Sequence, residues 1–252
     1  MQGVPKLHQY LPIHNMLKAN VEVSMGDYTD VLKRLYMYRK SVGLVQRELA
    51  ACVGIGQEQY SYIENGSVKI SGHLLLEFMK VGFGTDELIA GRSYIYEADD
   101  LERAINTIDT EENKNFALKL LAELIVKRSR EIREYITGEI ADNMEMLDAL
   151  SQSWNDFSMT QFVRTRLSLS QIEMAERLGL GIKKYRELER ETIYPDAETL
   201  LSLYNMSNYQ PTLFMNMSDR KVQIIKSIWC IFTPAEKEKL LNYAVASANI
   251  LD

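Results

Sequence analysis

The chain of 252 residues carries 46% hydrophobic and 25% charged residues, five prolines and a formal net charge of −6. This composition excludes a disordered chain, and no apolar run reaches the ~18 residues that a membrane span needs. The acidic balance excludes a surface that is basic all over but leaves room for a local cluster of Lys and Arg, and the length suffices for two ordinary domains.

Residues 1–27 read as an N-terminal arm. Met1 to Ser24 holds two prolines, scattered charge and no sustained apolar region, so no secretory signal is expected and the chain is expected in the cytoplasm. Residues 28–91 read as a first helical unit. It has a helix through Val31, Leu32, Leu35 and Tyr38, two short helices around Gly54, and an amphipathic helix with Leu74, Leu75, Phe78 and Met79. A short closing helix starts at the capping residues Thr85 and Asp86 and ends before Ala90 and Gly91.

Residues 92–155 read as a helical linker or pairing segment. It runs helix, long helix, shorter helix, with an apolar stripe of Leu120, Leu121, Leu124, Ile125, Ile132 and Ile136 interrupted near Thr137 and Gly138. Residues 156–216 read as a second unit, and residues 217–252 as a C-terminal helical tail. In that tail Thr233, Pro234 and Glu236 spell a helix start, with an N-cap, a first-turn proline and a carboxylate three residues on. The expected fold class is all-α.

Cys52 and Cys230 sit among apolar neighbours and are expected as buried thiols inside helices. His8, His14 and His73 show no ligand spacing with cysteine or carboxylates, so neither a metal nor another cofactor is expected.

The second unit repeats the first. Gln171, Glu173, Ala175, Gly179, Gly181, Tyr185 and Glu189 each stand 125 positions after Gln46, Glu48, Ala50, Gly54, Gly56, Tyr60 and Glu64. A weaker match at an offset of 123 links Ile105, Ile108, Thr110 and Lys114 to Ile228, Ile231, Thr233 and Lys237. Two copies of one module are implied, and an internal repeat predicts approximate two-fold pairing.

The stretch from Gly43 to Gly66, a helix, a tight turn at Gly54 and a second helix stopped by Asn65 and Gly66, resembles the helix-turn-helix of phage repressors and Cro/Xre-type regulators. The resemblance implies two five-helix DNA-binding units in tandem, each followed by a helical tail. In each, the second helix of the motif would lie in the major groove of double-stranded DNA and the first would cross the backbone. Gln46 is then expected at a phosphate and Gln57 at an adenine, with Glu58, Gln59, Ser61 and Tyr62 at the other groove-facing or flanking positions. The first reading helix has no Lys or Arg, and phosphate charge is assigned to Lys33, Arg34, Lys40, Arg47 and Lys69.

The second copy differs. Ile182 replaces Gln57, while Lys183, Lys184, Arg186 and Arg190 make its reading helix basic. Glu191 stands where the first copy has Gly66, so the left-handed helix stop is expected to be missing and the turn through Pro195 to differ. DNA contact and a retained packing scaffold are both open for this copy. The resemblance also implies internal ion pairs, Arg39 with Glu64 and Arg164 with Glu189, and core rings at Tyr60 and Tyr185.

The expected function is a sequence-specific DNA-binding transcription regulator of bacterial or phage type, acting by operator occupancy. Double-stranded DNA is its partner, with a homodimer through the helical segments as a further one. The rival is a protein-binding module, an antitoxin or accessory regulator that captures a partner through its tails. Glu58, the acidic balance and the long apolar stripe favour that rival. An enzyme is not expected, because the chain lacks a Gly-rich phosphate loop, a nucleophile elbow and clustered His or carboxylate motifs.

Overall fold

A computed structural model describes residues 26–131 and 137–250. The arm up to residue 25, with His8 and His14, and the stripe residues Ile132 and Ile136 lie outside the described residues. Among those described, every regular element is helical, and no helix is long and apolar enough to cross a membrane.

In chain order the helices are α1 Tyr28–Ser41, α2 Gln46–Cys52, α3 Gln57–Glu64, α4 Gly72–Lys80, α5 Thr85–Ala90, α6 Asp99–Asn106 and α7 Glu111–Glu131. They continue with α8 Glu139–Gln152, α9 Met159–Arg166, α10 Gln171–Arg177, α11 Ile182–Glu189 and α12 Ala197–Ser207. A 3-10 turn Pro211–Met215, α13 Arg220–Lys226, a 3-10 turn Trp229–Ile231 and α14 Pro234–Ala248 complete the chain. The bounds of α10 and α11 lie 125 positions after those of α2 and α3, and α12 begins 125 after α4.

The helices gather into two compact units that are not consecutive halves. One holds the described residues up to Tyr94 together with Val163–Asn216, and the other holds Ile95–Phe162 together with the described residues from Met217. Residues 46–64 and 171–189 thus share the first unit, and the two stretches read as tails lie almost wholly in the second.

In the first unit α1 starts at an Asp27 N-cap, and Val31, Leu35 and Arg39, spaced one turn apart, form its buried face. Leu49 and Ala50 of α2, Tyr60 and Ile63 of α3, Leu75 and Phe78 of α4, and Leu88 and Ile89 of α5 complete that core. In the later segment Met174, Ala175, Tyr185, Leu188, Leu200 and Leu203 are buried 125 positions after Leu49, Ala50, Tyr60, Ile63, Leu75 and Phe78. Between α2 and α3, Gly54 takes φ 73°, a left-handed conformation that an L side chain resists.

The stop after α11 departs from expectation. Glu191 adopts φ 57° where Gly66 has φ 82°, and its N–H donates to Leu188 O at 3.0 Å as Gly66 N–H donates to Ile63 O at 3.0 Å. The left-handed stop is therefore present without glycine, because the surrounding chain holds it. The following turn does differ: Thr192 N reaches back to Glu187 O, whereas in the earlier segment it is Val68 N that reaches Tyr62 O. A left-handed non-glycine residue costs roughly 1–2 kcal/mol, partly offset by the larger unfolded-state freedom of glycine. Glu191→Gly is accordingly expected to stabilise the protein by about 0.5–1 kcal/mol, read as a higher urea midpoint at unchanged slope.

In the second unit α7 packs against α14 and α8 and also meets α6 and α13. Its buried face is Ala117, Leu118, Leu121, Ala122, Ile125 and Val126, while Leu120 and Leu124 are half-buried. The described part of the apolar stripe is therefore covered inside the unit. The faint match between the tails has a local counterpart, since Thr110 Oγ1 accepts from Asn113 N at 3.1 Å and Thr233 Oγ1 from Glu236 N at 3.3 Å. The hydrogen bonds from Thr233 and from Arg128 hold the Glu236 carboxyl at about 2.

The cysteines also correct expectation. Cys52 is half-buried at the end of α2, and Cys230 is exposed in the 3-10 turn that rotates its neighbour Trp229 inward.

Candidate nucleic-acid interface

The base of the motif is an ion pair closed on several sides. Arg39 Nε donates to Glu64 Oε1 at 2.8 Å and Nη2 donates to Oε2 at 3.0 Å, while Nη1 donates to Leu44 O at 3.0 Å. Gln46 Nε2 donates to Glu64 Oε2 at 2.6 Å, and the Tyr60 hydroxyl donates to Oε1 at 3.3 Å. The two charged side chains are 6% and 7% exposed, so the pair counts as buried. Burial alone pushes the Glu64 carboxyl up, but the hydrogen bonds from Arg39 and Gln46 win and hold it below its ordinary range.

The later segment rebuilds this brace at the same offset. Arg164 Nε and Nη2 donate to Glu189 Oε1 at 3.2 and 2.8 Å, Nη1 donates to Leu169 O at 3.0 Å, and Gln171 Nε2 donates to Glu189 Oε2 at 3.0 Å. In both segments the brace ties the helix before the motif to the end of the second motif helix. It thereby fixes the angle at which that helix leaves the core.

Above the brace, α3 turns its outer face to solvent. Gln57, Glu58, Gln59 and Tyr62 are exposed and Ser61 is half-buried, whereas Tyr60 and Ile63 point inward. The Tyr62 hydroxyl donates to Glu58 Oε1 at 3.0 Å, which holds that carboxylate back along the helix. A shallow depression of about 470 Å3 between α2 and α3 is lined by Arg39, Lys40, Val45, Gln46, Arg47 and Gln57. Gln46 and Gln57 therefore border one hollow, with the Gln46 amide N–H committed to Glu64.

The basic residues divide by geometry. Lys40 and Arg47 are exposed beside the depression. Arg34, by contrast, donates to Leu88 O and Ile89 O, both at 2.7 Å, and so caps the C-terminus of α5. Lys33 pairs with Asp30 at 3.0 Å, and Lys69 pairs with Glu198. The sequence pattern marks all five as cations, but only position in the fold separates the capping and pairing groups from those beside α3.

On α11, Lys183, Lys184 and Arg186 are exposed and Ile182 is half-buried, and Arg190, at the C-cap, is exposed. Lys184 Nζ lies 3.2 Å from Asp196 Oδ2, and Arg186 Nε donates to Gln171 Oε1 at 3.2 Å. Exposed Ile172 stands 125 positions after Arg47, so the later segment has an apolar side chain on α10 where the earlier one has a cation.

Comparison with protein-family models matches residues 35–81 to the Helix-turn-helix family. No curated protein and no solved structure matches the chain. The matched span contains Arg39, Gln46, Gln57 and Glu64, the residues that form the brace and border the depression. The chain thus contains a Cro/Xre-type helix-turn-helix domain at residues 35–81, and that domain supports a DNA-binding regulator as its general class.

Proposed function

We propose that the protein is a sequence-specific DNA-binding regulator that acts by occupying an operator. Helix α3 enters the major groove, Gln57 bonds an adenine edge, and Gln59, Ser61 and Tyr62 flank it. The N-terminus of α2 meets a phosphate, with Lys40 and Arg47 supplying charge beside it. Helix α11 is a second, more basic DNA-contacting helix through Lys183, Lys184 and Arg186. The observation that carries this reading is the exposed polar face of α3 mounted on the buried Arg39–Glu64 brace within the matched domain.

Binding titrations at several salt concentrations test it. Gln57→Ala is expected to cost roughly 1–3 kcal/mol on the preferred site, to relax choice at one base pair and to leave random DNA nearly unaffected. Replacing Lys183 and Lys184 together by Ala should weaken specific and random DNA alike. It should also make the slope of log affinity against log salt shallower by about one per lost phosphate contact. A parent protein that ignores DNA at low salt would transfer both motifs to the rival role of partner capture.

A further inference from the structure

Inside the first unit, the loop and helix start that follow α3 meet those that follow α11, and they meet reciprocally. Lys69 pairs with Glu198. The position 125 after Lys69 is Tyr194 and the position 125 before Glu198 is His73, and these two rings meet edge to face with centroids 5.3 Å apart. Ala197 N donates to Ile70 O at 3.0 Å. The counterparts of those two residues, Gly72 and Pro195, also touch: a Cβ on Gly72 would stand 2.7 Å from Pro195 O and 2.4 Å from Tyr194 Cβ. Helix α5 packs on the 3-10 turn Pro211–Met215, its own counterpart, and Asp86 there accepts from Gln210 Nε2 and Thr212 N, both at 2.8 Å.

When residue i touches j and the equivalent of i touches the equivalent of j, the contact has the form of a two-fold interface. Here one chain forms it with itself. The chemistry of the equivalent contacts does not repeat, because one side is an ion pair and the other a pair of rings. A symmetric pairing of two copies of the earlier segment would set Lys69 against His73 twice and would lose the carboxylate that Glu198 supplies. The seam is thus built for its own chain and not for a second copy.

We propose that a single copy of this chain binds one DNA duplex at two adjacent and unlike half-sites, α3 on one and α11 on the other, without a second chain. This rests on the reading of α3 as a DNA-reading helix. The seam follows each reading helix by only a few residues, so the rotation that exchanges the seam residues also exchanges α3 with α11. One half-site is chosen by the directional hydrogen bonds of Gln57. The other is held by Lys183, Lys184 and Arg186, with Ile182 suited to a thymine methyl. The binding site is therefore not a palindrome.

The test uses the full chain and a duplex enriched by it from a random-sequence library. Native mass spectrometry of the complex should give one chain per duplex. Inserting about 5 bp between the halves turns them to opposite faces of the helix and should weaken binding at least tenfold, because half-sites read together lie about 10 bp apart. Footprints should show Gln57→Ala losing protection in one half and the Lys183/Lys184 double alanine variant losing it in the other. Two chains per duplex, or an insertion that changes affinity less than twofold, overturns the proposal while leaving α3 as a DNA-reading helix. Failure to enrich any duplex overturns that reading and this proposal with it.

Discussion

Arg39→Ala is expected to cost about 3–5 kcal/mol of stability, because it leaves the Glu64 carboxylate buried without its charge partner. Gln46 and Tyr60 remain as neutral donors, and neither replaces two charge-assisted bonds at 2.8 and 3.0 Å. The loss should depend on pH with a definite sign. Glu64 is held below its ordinary range in the folded parent, so its contribution is full above the unfolded value of about 4.3 and fades as pH falls through the folded value. Without Arg39 the carboxylate loses its largest opposing charge and that contribution disappears. The gap between parent and variant is thus widest near neutral pH and narrows below about pH 4. Urea unfolding at pH 7 and pH 4 measures both numbers, and a variant within 1 kcal/mol of the parent at pH 7 would refute the brace as a stabilising element. Arg164→Ala should cost less, since Arg164 is 17% exposed against 6% for Arg39 and water can partly solvate what remains.

Trp229→Ala should cost about 3–5 kcal/mol, in the range of large aromatic truncations in cores. Trp229 is fully buried and belongs to a 3-10 turn of the C-terminal stretch. Its indole Nε1 donates to both oxygens of Asp100, at 2.9 and 3.1 Å, and Asp100 is on α6, 129 positions earlier. One side chain therefore supplies both packing and a directed bond between two stretches of the second unit. Trp229→Phe separates these contributions: it keeps most of the ring volume and removes the indole donor from Asp100, which retains the Leu101 N–H at 2.9 Å, for an expected cost of about 1–3 kcal/mol. If the phenylalanine variant is as damaged as the alanine variant, the hydrogen bond outweighs the packing and the assignment of the larger share to burial is wrong.

The two ion pairs that brace the candidate site were legible in the sequence. The resemblance to the phage-repressor motif, applied at both ends of the 125-residue offset, named Arg39 with Glu64 and Arg164 with Glu189, which form two ion pairs, and it turned Tyr60 inward and Gln57, Glu58 and Gln59 outward. The inward turn of Tyr60 follows from the 3.6-residue helical period, which is local, whereas each ion pair joins residues 25 positions apart and depends on how the helices meet. Arg34 was not legible. As a basic residue near the motif it resembles Lys40, and only the arrival of Leu88 and Ile89 carbonyls, 54 and 55 positions later, makes it a helix cap. Nor was Glu191, whose left-handed conformation opposes its own backbone preference and is imposed by the turn around it. Gly72, His73 and Tyr194 carried no motif at all, and Asp86, read as a capping residue, instead accepts from Gln210 and Thr212 while Gly84 stands at the N-cap; their meaning comes from the residues they face.

The sequence by itself determined that the chain is helical, where the helices that open at Gln46, Gln57 and Pro234 begin, and which residues recur at an offset of 125, because capping, periodicity and turn chemistry act over a few residues. Only the tertiary structure decided that residues 46–64 and 171–189 share one unit, and that α7 and α14 share another. Amphipathic helices all present similar apolar faces, and burial is non-directional, so the choice among partners is made by shape and by a few directed contacts between residues more than 100 positions apart, such as Asp86 with Gln210 and Asp100 with Trp229.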